Sequence, residues 1–92
     1  MAITCSFLQC EQPLLGTVVM LAPTPGEEID WGKGYNTYVN QLENGTYLQY
    51  VLLHQTCFQL IFDEFMRQEL MTSLEMLIGP IALLAEEMQI PR

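Results

Sequence analysis

The sequence predicts an α+β domain. We expect a small antiparallel sheet of two hairpins, followed by a long amphipathic helix and a short C-terminal helix. Three observations lead there. Apolar runs with β-branched or alternating character fill the first half and are broken by Pro, Gly and Asn. Asn44-Gly45 stands between two β-compatible runs, the strongest short-range hairpin signal. From Cys57 onward, apolar residues recur at spacings of three and four. A mostly α-helical arrangement is the alternative, because Thr46-x-x-Gln49 can also be read as a capping box.

Residues 3–9 open the chain. Ile3, Cys5 and Phe7 alternate with Thr4, Ser6 and Leu8, the period of a strand. Residues 14–22 carry Thr17, Val18 and Val19 at their centre, which suit a pleated surface. The two segments form the first expected hairpin, with Pro13 at its turn because it cannot donate to a ladder. Residues 23–34 hold two prolines and three glycines and read as a loop carrying Trp31. Residues 35–42 and 46–53 form the second hairpin. The latter arm is apolar on both faces, so both need cover.

Phe58, Ile61, Phe62, Phe65, Met66 and Leu70 then mark a helical stripe. Leu74, Leu77 and Ile78 extend it, predicting a helix over 57–78, about six turns long. Gly79-Pro80 ends it, and 81–90 form the last helix. At 92 residues the chain reads as one domain, 1–92, able to bury only a thin core.

Composition narrows the function. Half the residues (50%) are hydrophobic and 15% are charged, against roughly 25% charged in average domains. Apolar side chains in excess of one small core imply a partner or self-association, so a homodimer is expected. Eleven acids against three bases give a net charge of −8, which disfavours nucleic acid and anionic membrane surfaces. The same charge suits a partner protein with a basic surface. No secretory signal or membrane-length apolar run is visible, and three cysteines are an odd count, so the expected location is the cytoplasm.

Candidate chemistry is sparse. Cys5-x4-Cys10 and His54-x2-Cys57 supply three thiols and an imidazole, the ligand set of a structural zinc site. The chain lacks a Cys-x2-Cys knuckle, and Cys often serves as a small core residue. Free thiols are therefore the preferred reading; Cys5, Cys10, His54 and Cys57 stand as the metal candidates, and no cofactor is assigned. His54 and Cys57 as a catalytic pair lack an orienting group or oxyanion signature. Glu27-Glu28, Asp63-Glu64 and Glu86-Glu87 are adjacent pairs, which on a helix do not face each other. Gly32-Lys33-Gly34 lacks the spacing of a phosphate loop.

The expected function is therefore non-enzymatic: an interaction module such as an assembly factor, adaptor or inhibitor of a larger protein. Trp31, Tyr47, Tyr50, Leu84 and Met88 are the partner-binding candidates, although for Trp31 folding back as a lid on the core is the default reading. Two alternatives stand beside this reading. One is an acidic nucleic-acid mimic, which needs Glu27, Glu28, Asp30, Asp63, Glu69 and Glu75 on one face. The other is a small zinc-binding or thiol protein.

Overall fold

The computed structural model describes residues 3–67, 69 and 74–88, with side chains to Leu84. It is an α+β fold: a four-stranded antiparallel sheet and two helices. The strands are β1 (Thr17–Ala22), β2 (Tyr38–Gln41), β3 (Tyr47–His54) and β4 (Glu75–Pro80). Helix α1 (Gln55–Arg67) follows β3, and α2 (Ile81–Met88) follows β4. The sheet order is β2-β3-β1-β4.

β3 and β1 sit at the centre, as their composition requires. Val18 to Ala22 and Tyr50 to Leu53 are buried whichever way they point, so both faces of the central pair are covered. Helix α1 packs on β1 and β3. Its Cys57, Ile61 and Phe65 recur every four residues and form the buried stripe. β2 and β3 make the expected hairpin, with Tyr38 opposite Tyr50 and Gln41 opposite Tyr47. Gly45 takes a φ of 88° in the turn, a conformation cheap only for glycine. The Asn44 side-chain oxygen accepts hydrogen bonds from the Thr46 amide (3.0 Å) and hydroxyl (2.6 Å).

Two expectations are corrected. The first concerns the opening hairpin. Residues 3–9 do not pair with β1; β1 pairs with β3 and β4 instead. The opening segment folds back on itself earlier. The Cys5 amide donates to Gln12 O and the Leu14 amide to Ile3 O, with Thr4 bridged to Pro13. Glu11, at a φ of 50°, lies in the turn between. This short excursion is pinned to the sheet by Ser6, whose side chain is fully buried. Ser6 N donates to Leu52 O (2.7 Å), Ser6 Oγ accepts from Leu52 N (3.0 Å), and Ser6 O accepts from Asn36 N (2.8 Å). The segment thus takes the place beside β3 where the ladder with β2 stops at Tyr50.

The second correction concerns the long helix. The helix described ends at Arg67, and 75–80 form β4, paired along β1 from Thr17–Pro80 to Ala22–Glu75. Leu77 and Ile78 therefore lie on a strand. Residues 68 and 70–73, with the predicted helical positions Leu70, Met71 and Thr72, lie outside the described residues, as do 89–90 at the end of the predicted last helix. The physical reason is tertiary. β1 is apolar on both sides and needs a second neighbour, and EMLIGP satisfies its ladder better than it would lengthen an exposed helix. Gly79-Pro80 closes the strand, and the Ile81 amide starts α2 with a bond to Gly16 O (2.8 Å).

Candidate metal centre

The chain passes from β3 into α1 without a loop, since His54 ends the strand and Gln55 begins the helix. His54 is therefore at the end of the central sheet, and Cys57 is in the first turn of the helix, pointing to the core. Ser6 fixes the opening excursion along the same strand two residues earlier, which brings Cys5 and Cys10 to that end. The result is a cluster. One Sγ from each of Cys5, Cys10 and Cys57 and a ring nitrogen of His54 all lie within 4.8 Å of one another.

Two of the distances lie close to those within a ligand shell. His54 Nδ1 is 3.4 Å from Cys10 Sγ and 3.8 Å from Cys57 Sγ. Tetrahedral zinc, with Zn–S about 2.3 Å and Zn–N about 2.0–2.1 Å, separates its ligand atoms by about 3.5–3.8 Å. The far ring nitrogen, Nε2, is 3.0 Å from Pro13 O. A carbonyl can only accept, so Nε2 is the donor in this contact and Nδ1 is the ring nitrogen that faces the sulfurs. A backbone carbonyl behind the imidazole is the usual device for orienting a histidine ligand. Cys5 and Cys57 are buried and Cys10 is half-buried.

The thiols also compete for charge. Burial pushes the Cys57 thiol up to about 12, reinforced by a hydrogen bond to Cys10 and by the proximity of Cys5. Cys10 is held below its ordinary value, chiefly by the Gln12 backbone, with further hydrogen bonds to Cys57, His54 and Cys5. Three adjacent sulfurs cannot all ionise unaided in a partly buried pocket. A divalent cation among them removes that conflict, since metal coordination deprotonates thiols outright.

The partner candidates are placed differently from one another. Tyr47 is exposed and lines a cleft of about 430 Å³ with Glu27 and Glu28. Tyr50 is corrected to a core residue: it is fully buried, stacked on Tyr38 at 5.7 Å, because β3 is central rather than marginal. Leu84 is likewise buried, as α2 turns it inward. Trp31 is a lid, 6% exposed, with its ring 6.2 Å from that of Phe65. The Met88 side chain lies outside those described. Residues not named as partner-binding candidates add to the exposed apolar surface, among them Met66, Leu77 and Ile78, which the sequence placed on the helical stripe. Leu60 is 76% and Met66 50% exposed on α1, and Met76, Leu77 and Ile78 are all exposed along β4.

Comparison with known proteins finds no matching family model, no similar curated protein and no similar solved structure. No helix described is long and apolar enough to cross a membrane.

Proposed function

We propose that this chain is a non-enzymatic protein-binding domain held together by one structural zinc ion on Cys5, Cys10, His54 and Cys57. The observation that carries the proposal is the convergence of those four ligand atoms within 4.8 Å. They come from two segments separated by more than forty positions. Thiolate-rich sites with one imidazole suit zinc, and four protein ligands fill a tetrahedron. A catalytic zinc keeps a position for water or substrate; this set leaves none. Zinc here staples the opening excursion to the strand–helix junction.

The binding role rests on what the core leaves outside. Large apolar side chains on α1 and β4 stay exposed, on a chain short of surface charge. A net charge of −8 and the cleft of Tyr47, Glu27 and Glu28 favour a partner with a basic surface. Self-association through β4, whose two faces are both open, belongs to the same reading.

The test is elemental analysis of protein purified without added metal. The proposal expects about one zinc per chain, lost in the His54→Ala and Cys57→Ser variants. Folded protein without stoichiometric metal refutes the zinc assignment. For the binding role, wild type should capture a protein that the surface variant Leu60→Glu, equally folded, does not.

A further inference from the structure

We infer that the cavity walled by Phe7, Trp31, Tyr35 and Phe65 and flanked by Asp30 and Glu64 receives an arginine side chain of the protein partner. The inference rests on the protein-binding reading above and does not involve the zinc ion.

The cavity measures about 310 Å³, room for one side chain. Its aromatic wall is continuous. Trp31 lies 6.2 Å from Phe65, Phe65 lies 5.6 Å from Tyr35, and Tyr35 lies 5.7 Å from Phe7. Trp31 and Phe65 are almost wholly buried and form a rigid floor, whereas Phe7 and Tyr35 are half-buried and reachable. Two carboxylates share this lining. Asp30 Oδ1 accepts the Gly32 amide at 2.9 Å, which orients the carboxylate and leaves it further acceptor sites. Glu64 comes from the exposed side of α1, and its charge reaches the Tyr35 hydroxyl, adding to the burial that raises that group.

Flat aromatic rings beside carboxylates match one cation better than others. A guanidinium is planar, stacks on aromatic faces and offers a fork of donors to carboxylates. Lysine presents a compact, strongly hydrated charge that uses the rings less well. A neutral ligand gains nothing from the net negative charge of the lining. Lys33 lines the same cavity from the exposed loop, so the three charged groups sum to −1. The positive charge of Lys33 opposes an incoming guanidinium.

The experiment titrates the folded full chain with a short acetylated Gly-Arg-Gly amide peptide. A citrulline peptide is the neutral isostere. Trp31 is the sole tryptophan, so its fluorescence reports on this cavity alone. A saturable response is expected, with a dissociation constant on the order of 1 mM for so small a probe. The citrulline peptide should bind at least about tenfold more weakly, as should the Glu64→Gln variant with the arginine peptide. Lys33→Ala should tighten binding. The inference is overturned if the folded chain gives no saturable change, or if citrulline binds as well as arginine. A silent cavity in a chain that still captures its partner overturns this inference alone. A chain that binds the arginine peptide but captures no protein keeps the cavity and loses the partner reading.

Discussion

Removing the metal should cost the domain a large share of its stability, and the size of the loss can be worked from the topology. Zinc would cross-link the opening excursion to the end of β3, with Cys10 and His54 separated by 44 positions. Closing a loop of that length restricts the unfolded chain by roughly 4 kcal/mol, taking the chain-entropy form used for disulfides. A small domain has only about 5–15 kcal/mol in total. At roughly 4–8 °C per kcal/mol, the melting temperature should fall by roughly 15–30 °C. The assay is thermal melting by circular dichroism, with zinc, with excess chelator and after zinc is restored. His54→Ala should reproduce the drop, and chelator should then add nothing. Amide exchange should show where the loss falls, with Cys5 and Leu14 losing protection before Val19 and Leu53, which pair within the central sheet. If the metal is shown to be gone and the melt moves by less than about 2 °C, the four residues are a thiol cluster and the staple argument fails.

Three further outcomes follow from the core. Ser6→Ala removes the acceptor of the Leu52 amide, and leaving that buried donor unpaired should cost about 1–3 kcal/mol by denaturant titration. Tyr50→Phe should go the other way, since the buried Tyr50 hydroxyl has no hydrogen-bond partner among the described residues; stability should hold or rise by up to about 1 kcal/mol. Tyr50 also sets an alkaline limit, because burial, and then the charge of Tyr38, pushes its phenol up to about 12. The unfolded chain ionises near the ordinary value of 10, so this contribution is complete below pH 10 and is lost as pH rises toward 12. Unfolding curves between pH 8 and 12 check it, and the alkaline loss should be smaller in Tyr50→Phe.

Local signals carried most of what sequence reasoning found. Asn44-Gly45 specifies its hairpin through its own backbone and side chain, without help from the rest of the molecule. The β-branched centre of β1 and the three-and-four spacing of Phe58, Ile61, Phe62 and Phe65 announce strand and helix because each pattern has its own period, although the buried stripe proves to be Cys57, Ile61 and Phe65. The failures are places where a distant neighbour decides. EMLIGP continues a helical spacing on paper, and only the open side of β1 makes it a strand. Residues 3–9 alternate like a strand, but Ser6 docks them on β3 and the turn at Glu11 sends the chain back along them. The same docking explains the site. Cys5-x4-Cys10 and His54-x2-Cys57 contain the right atoms, yet nothing local says that the two pairs meet. Tyr50 shows the reverse error: an apolar strand looks like surplus surface until the sheet order places it at the centre.

Cobalt substitution tests the central claim most directly, because the ion reports its own ligands. Apo protein titrated with Co²⁺ under reducing conditions should saturate at one equivalent. The product should show the intense visible bands of a tetrahedral site and near-ultraviolet charge transfer from three thiolates, and one equivalent of zinc should bleach both. A pale octahedral spectrum without thiolate charge transfer, in protein that remains folded, would contradict the assignment of Cys5, Cys10, His54 and Cys57 as a metal centre.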